Sequence, residues 1–491
     1  MFVLLIAPAD DIIVDMANLP SDYTNRMKEM LGDGYDAFIK CYDEESKKAL
    51  RINRRLVSPN EYRSVAADAT GCEDPLPVSI WDGAFYYKED GPGRSPLHEA
   101  GAYYIQEPSA MLPVTMLDVN AGGQRVLDLC AAPGGKTTQI ADLMDSKGLL
   151  VANEYVPGRA KILSENVERM GVRNALVISE DPNKLADRFP GFFDRILVDA
   201  PCSGEGMFRR NPEAVNEWSL ENVKMCAKRQ DMILDCAAAM LAPGGRIVYS
   251  TCTFSPEEDE GTLERFLSRH PEYTVAEGPS RLYPHTFAGE GHFSVALTRG
   301  SAGKEAIDIS SQADTMAEPQ NGLSFPQKDW SASLLDEVFH ESSNATRGNE
   351  RKRLLGKWLN RSRFSTGTVD LTDRIITFGD ALYLAPEGMP DITGLKVYRA
   401  GIKLGSFKKD RFEPDHALSH ALRPEDMINR VNLSPAGTAA RQYLSGLTIE
   451  CDKDIKGWCL VCVGDYPLGW GKASGGIIKN HYPKGLRKDC C

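Results

Sequence analysis

Between residues 97 and 299, short apolar runs alternate with longer stretches whose apolar residues recur at helical spacing. Arg125-Val126-Leu127-Asp128-Leu129 reads as a buried strand that runs into a Gly-rich turn, and a helix is predicted over 137–144. Leu149-Leu150-Val151-Ala152-Asn153 is the second strand, followed by a helix over about 158–170 that stops before Gly171. Residues 175–179 and 195–199 make the third and fourth strands. Ser219 can cap a long helix whose Val223, Ala227, Leu234, Ala237 and Leu241 form one stripe. That helix should end at Pro243-Gly244-Gly245, and Arg246-Ile247-Val248-Tyr249-Ser250 is the fifth strand. Strands alternating with helices predict an α/β fold with a parallel, doubly wound sheet, which binds ligands beyond the carboxyl ends of its strands.

The flanks differ. Residues 17–96 read as a small helical and mixed domain, with Leu19, Tyr23, Met27 and Leu31 at helical spacing and Phe38 and Tyr42 after a Gly-Asp-Gly break. Residues 1–16 are expected to be a tail or a mis-annotated start. Residues 300–345, rich in Ser, Ala, Gly and acids, read as a linker or insertion. A basic connecting segment over 346–390 carries Arg347, Arg351, Lys352, Arg353, Lys357, Arg361 and Arg363. From about 391 to 491 short strands and turns dominate, ending in a tail with Lys479, His481, Tyr482, Lys484, Arg487 and Lys488. A β-rich module with a basic, aromatic-bearing tail suits single-stranded RNA. A solubilised terminal domain is the plainer reading.

Composition changes this picture little. The 491-residue chain carries a net charge of −12, which excludes a generally basic coat but not a local basic face. Lys47, Lys48, Arg51, Arg54 and Arg55 form one basic stretch, readable as a solvated face or as a nucleic-acid contact. No run approaches the ~20 apolar residues of a membrane span, and no signal peptide is recognisable, so a cytoplasmic protein is expected. Twelve cysteines in so long a chain imply reduced thiols rather than a disulfide scaffold. Cys459 and Cys462 have metal-ligand spacing but lack a second pair, so no metal is expected. The terminal Cys490-Cys491 fits no prenylation box.

The chemistry gathers at the predicted strand ends. Cys130-Ala131-Ala132-Pro133-Gly134-Gly135-Lys136-Thr137 is a turn that lets the backbone approach a nucleotide-type cofactor at a helix start, and it is not a Walker loop. Glu154, about 20 residues on, is placed for the two ribose hydroxyls. Asp181 follows the third strand and can reach an adenine amino group, with Glu180 as a close competitor. Cys202, in Asp199-Ala200-Pro201-Cys202-Ser203-Gly204, and Cys252, in Ser250-Thr251-Cys252-Thr253, each follow a strand. Two such thiols suit covalent catalysis on a pyrimidine. Carbon 5 of cytosine is a poor nucleophile until a thiolate adds to carbon 6, after which it can attack a sulfonium methyl group. Asp199 is placed to hydrogen-bond ring nitrogen 3. Cys41, Cys130, Cys226 and Cys236 read as small buried apolar residues.

These motifs, with Gly101-Ala102-Tyr103-Tyr104-Ile105-Gln106-Glu107-Pro108-Ser109, resemble the Nol/Nop/Sun family of RNA cytosine-5 methyltransferases over about residues 17–299. The resemblance implies a Rossmann-like class I methyltransferase domain over 97–299, an N-terminal RNA-binding-type domain, and S-adenosylmethionine as cofactor. It implies Cys252 as the nucleophile, Cys202 as the residue that assists release, and Lys136 as a residue that orients the site. Glu154, Asp181, Asp199 and, by position, Arg159 would contact the cofactor. Asp181 departs from the family pattern in its Ser179-Glu180-Asp181-Pro182 setting. Pro190-Gly191-Phe192-Phe193-Asp194-Arg195, Gly204-Glu205-Gly206-Met207-Phe208-Arg209 and a PUA-like C-terminal module resemble the bacterial RsmF (YebU) group, which methylates small-subunit ribosomal RNA. The resemblance implies a target cytosine turned out of its stack. The partner is then RNA and not DNA, and a monomer is the default. Methylation of transfer RNA, a non-catalytic ribosome-assembly factor on a retained methyltransferase fold, and a dithiol redox enzyme are the competing readings. The last lacks a C-x-x-C at a helix start and has no use for the cofactor acids.

Overall fold

The computed structural model describes residues 19–88, 91–300, 374–409 and 411–488. The readings of residues 1–16, 300–345, the basic segment over 346–373 and Cys490-Cys491 lie outside the described residues, apart from Gly300. A three-stranded N-terminal sheet is built from β1 Lys48–Ile52, β2 Ala84–Tyr87 and β3 Tyr103–Gln106. The central sheet takes β4 Arg125–Asp128, β5 Leu149–Asn153, β6 Ala175–Ile178, β7 Phe193–Asp199, β8 Leu241–Thr251, β9 Tyr273–Leu282 and β10 His292–Arg299. Further on lie β11 Ile375–Phe378, β12 Ala381–Leu384, β13 Val397–Ala400, β14 Ile402–Lys408 and β15 Arg411–Pro414. The last sheet holds β16 Arg430–Leu433, β17 Ile449–Glu450, β18 Gly457–Val463, β19 Tyr466–Ser474 and β20 Ile477–Asn480.

The central order is β13-β6-β5-β4-β7-β8-β10-β9. The five predicted strands pair in parallel as β6-β5-β4-β7-β8. Each alternates sides because successive strand residues face opposite ways. Val126, Leu150, Val177 and Val248 enter one apolar cluster, and Leu127, Val151, Leu176 and Ile247 enter the other. Both faces are therefore covered, as a parallel sheet requires. Helix Leu220–Met240 packs Leu234, Ala237 and Met240 on one face, and Ser219 Oγ caps it by accepting from Asn222 N at 3.1 Å. Helix Gly135–Met144 packs Ile140 and Met144 on the other.

Three edge strands were not assigned to this sheet from the pattern. β10 and β9 continue the sheet antiparallel beyond β8, and β13 pairs antiparallel with β6 on the opposite edge. Residues 397–400 thus join the central sheet, although their pattern resembles that of the C-terminal module. β8 also begins at Leu241, before the Pro-Gly-Gly expected to precede it.

The basic stretch at 47–55 is a solvated face only in part. Lys47 is exposed, but Arg51, Arg54 and Arg55 are buried. Arg51 donates to Gln106 Oε1 at 3.1 Å and Thr138 Oγ1 at 2.7 Å, and it pairs with Asp142. It ties β1 to the helix that follows the Gly-rich turn. Arg55 and Arg173 donate to the Ala421 carbonyl at 3.2 and 3.1 Å, at the C-terminal end of helix His416–Ala421, where cations are favoured. One apolar cluster joins Leu50, Ile52, Tyr62 and Tyr103 near the N-terminus to Cys459, Val461, Leu468 and Tyr482 near the C-terminus. Tyr482, expected on an RNA-facing tail, is therefore a core residue, whereas Lys479, His481 and Lys484 are exposed. Cys459 and Cys462 are both buried and pack in different clusters. No helix among the described residues is long and apolar enough to cross a membrane.

Removing one partner of a buried ion pair strands the other. Arg51→Met is expected to cost about 3–5 kcal/mol in urea unfolding, and the double variant Arg51→Met/Asp142→Leu should recover most of that loss.

Candidate active site at the strand ends

The Gly-rich turn is fixed from several sides. Ala131 N donates to Asn153 O at 2.8 Å, and Asn166 Nδ2 donates to Pro133 O at 2.9 Å. Gly134 has φ 114°, which a side chain would strain, and a Cβ there would meet Leu163 at 3.2 Å. The helix at Gly135 then starts with its N–H groups directed at the turn. Asn153 donates to the carbonyls of Leu129 and Glu180, at 3.2 and 3.1 Å, and latches three strand ends together.

Glu154 is buried at the end of β5. Its Oε1 accepts from Val156 N at 2.9 Å, and Arg159 Nη1 lies 3.5 Å from Oε2. Arg159 also donates to Ala132 O at 3.0 Å, so it bridges the acid and the turn. Asp181 is exposed and caps helix Pro182–Arg188 by accepting from Asn183 N at 2.8 Å. Glu180 is buried and engaged by Lys184 Nζ at 2.9 Å and Lys396 N at 2.7 Å. Burial pushes its carboxyl up, but these two partners outweigh burial and hold it below the usual range. Asp128 is buried at the end of β4, with Oδ2 accepting from Thr137 Oγ1 at 2.7 Å and Oδ1 without a hydrogen-bond partner. Burial pushes its carboxyl up to about 7. An acid at the β5 end, a turn that only glycine can make and an orphaned buried carboxylate oxygen fit a nucleoside cofactor.

Asp199 is the hub of the second half. Lys136 Nζ donates to its Oδ2 at 2.8 Å, and Ser250 Oγ donates to Oδ1 at 2.9 Å. His292 Nε2 lies 3.4 Å from the same Oδ1. Burial works upward on Asp199, but Lys136 and His292 outweigh it and hold the carboxyl well below the usual range. Cys202 Sγ and Cys252 Sγ stand 3.3 Å apart, on the turns that follow β7 and β8. The hydrogen bond to Cys252, then burial and the Glu258 charge, push the Cys202 thiol well up. Burial, followed by the Glu154, Asp128 and Asp199 charges, pushes the Cys130 thiol well up, and its side chain packs against the central cluster.

His292 escaped sequence reasoning. Only the β8–β10 register, with Phe293 opposite Thr251, carries it to this site. Burial and Lys136 hold its imidazole below the usual range. Glu205 is likewise unannounced: it accepts from Trp218 Nε1, Ser255 Oγ and Phe254 N at 2.9, 2.7 and 2.9 Å. It pins the loop after Cys252 beneath an aromatic cluster of Tyr23, Phe38, Phe208 and Trp218.

Four family models cover most of the chain. The N-terminal domain of 16S rRNA methyltransferase RsmF matches residues 19–108, and the 16S rRNA methyltransferase RsmB/F model matches 114–297. The RsmF first C-terminal domain matches 357–422, and the RsmF PUA domain matches 430–488. Ribosomal RNA small subunit methyltransferase F of Shewanella sp. strain MR-4 is 31% identical over 504 residues, covering 96% of this chain and 98% of that protein. The chain belongs to the ribosomal RNA small subunit methyltransferase F family. The Vibrio cholerae member is also 31% identical, with the same coverage. NSun6 from Pyrococcus horikoshii, solved with SFG, shares the fold at TM-score 0.51 and 21% identity, over 58% of this chain and 99% of that one. As a member of this family the chain is an S-adenosylmethionine-dependent ribosomal RNA methyltransferase with a Rossmann-like catalytic sheet and a PUA domain.

Thiol reactivity follows thiolate fraction and access. At pH 8 iodoacetamide should label exposed Cys72 about tenfold or more faster than Cys202, as read by peptide mass spectrometry.

Proposed function

We propose that the protein methylates carbon 5 of a cytosine in small-subunit ribosomal RNA through a bond between Cys252 Sγ and cytosine carbon 6. The observation that carries this reading is the pair of thiols 3.3 Å apart, beside a carboxylate that Lys136 orients. A single nucleophile would not need a second thiol at that distance.

Glu154 holds the ribose of the cofactor, Arg159 braces Glu154 against the turn, and residues 130–136 line its path. Asp181, exposed at the end of β6, is the acid available to the adenine amino group, because the Glu180 carboxylate is already engaged. Bound S-adenosylmethionine supplies an electrophilic methyl group. Cys252, as thiolate, adds to carbon 6 and makes carbon 5 nucleophilic. Asp199, held ionised, is placed to accept a hydrogen bond from ring nitrogen 3 once that nitrogen is protonated, while Lys136 and Ser250 fix its two oxygens. After carbon 5 takes the methyl group, a base removes its proton, the freed electron pair restores the ring double bond, and the sulfur–carbon bond breaks. Cys202 assists that release and returns Cys252 as a thiolate. The reading favours a monomer in the cytoplasm, acting on RNA rather than DNA, with exposed Lys479, His481 and Lys484 available to the phosphate backbone.

Bisulfite sequencing of small-subunit ribosomal RNA from cells with and without the gene tests this. One or more cytosines should lose protection on deletion and regain it with the wild-type gene but not with Cys252→Ala. Cys202→Ala should instead trap a protein–RNA adduct that survives denaturing electrophoresis. Unchanged ribosomal RNA would overturn the substrate and move the search to transfer RNA. Glu154→Ala should weaken S-adenosylmethionine binding about ten- to a hundredfold by calorimetry, the scale of charge-assisted hydrogen bonds of about 1.5–3 kcal/mol.

A further inference from the structure

Two thiols 3.3 Å apart can divide attack and release only if each is held in its own place. The Cys252 side of that arrangement is carried by a strand end and by Gly206 N, which donates to Cys252 O at 2.8 Å. Cys202 lies in a turn with no strand to hold it. The peptide groups on either side of it converge instead on one buried pair of side chains. Ser203 N donates to Glu258 Oε2 at 3.0 Å, and Gln230 Nε2 donates to Pro201 O at 3.1 Å. Gln230 Nε2 also donates to Glu258 Oε2 at 2.8 Å and so closes the bracket around residue 202. Glu258 and Gln230 are both fully buried. Glu258 is itself anchored, because Tyr249 OH donates to its carbonyl at 2.6 Å and its N–H donates to Ser255 O at 3.0 Å. Ser203 Oγ and Thr253 Oγ1, 2.9 Å apart, join the residues that follow the two cysteines.

Packing alone does not explain a carboxylate here. Glu258 Oε1 is buried without a hydrogen-bond partner, a costly arrangement that a well-packed apolar residue would avoid. A carboxyl group suits the position because one oxygen, Oε2, accepts two N–H groups at once, which no apolar residue could do, while burial pushes the carboxyl up to about 7.

We propose that Glu258 is a positioning residue for Cys202: with Gln230 it clamps both peptide groups flanking that cysteine and so sets the thiol for release of the methylated base. This rests on the release role given to Cys202 above. Its signature is kinetic, because loss of the clamp leaves attack by Cys252 in place and slows the escape from the adduct.

The test measures single-turnover methyl transfer, steady-state turnover and denaturation-resistant protein–RNA adduct, using full-length protein and a ribosomal RNA substrate. Glu258→Ala and Gln230→Leu should each lower steady-state turnover about tenfold or more while single-turnover transfer falls no more than about threefold, and adduct should accumulate. Glu258→Gln, which keeps one acceptor oxygen, should lie between wild type and Glu258→Ala. Thermal unfolding is read alongside. If Glu258→Ala fails to fold, Gln230→Leu and Glu258→Gln carry the decision. A parallel fall in both rates without adduct, in variants that unfold at the wild-type temperature, overturns the inference, and so does wild-type turnover. Cys202→Ala on the same gel separates the two readings. If it fails to trap adduct, the release role itself falls; if it traps adduct and the clamp variants do not, only the role of Glu258 falls.

Discussion

The ion pair between Lys136 and Asp199 is the contact on which the site depends. Lys136 belongs to the helix after β4, and Asp199 ends β7, the neighbouring strand. Their 2.8 Å contact joins the Gly-rich turn to the turn that carries Cys202. Ser250, at the end of the next strand, adds its hydroxyl to the same carboxylate and brings in the turn that carries Cys252. One carboxylate thus sets the register among three loops: the Gly-rich turn and the turns that carry Cys202 and Cys252. A partly buried pair of this kind holds geometry more than it adds stability, because desolvation offsets much of its attraction.

The modules around the sheet work to the same end. Tyr23 and Phe38 pack near Phe208 and Phe254, which flank the two cysteine turns in sequence. Arg26 pairs with Glu257, next to the residue that reaches Ser203. Arg51 reaches from β1 to the start of the helix after the Gly-rich turn, so the N-terminal domain braces both halves of the candidate site. The last sheet in turn shares an apolar cluster with that domain. The PUA domain is therefore attached to the catalytic sheet partly through the N-terminal domain.

The parallel strands were legible because strands buried on both faces must be short, apolar and bounded by turns. Their ends were legible with them, and this is why the Gly-rich turn, Glu154, Asp199, Cys202 and Cys252 could be read as one constellation from the sequence. The edge strands were not legible. β9 and β10 are antiparallel, and β13 follows a long interruption in chain order, so nothing local announces their partners. His292 was missed for that reason. The arginines at 51–55 misled because a run of charge resembles a solvated face until its partners, among them Asp142 and the Ala421 carbonyl, are seen.

The sequence by itself determined the doubly wound sheet, the Gly-rich turn and the place of the two thiols at strand ends, because each is encoded by residues close together in the chain. The tertiary structure decided which acid stays available at the end of β6, since Lys184 and Lys396 engage Glu180 and leave Asp181 exposed. It also decided that Tyr482 belongs to the core, that His292 meets Asp199, and that Glu258 and Gln230 bracket Cys202. Those outcomes depend on pairings between residues far apart in the chain. Burial and the search for hydrogen-bond partners select such pairings only once the whole chain has packed.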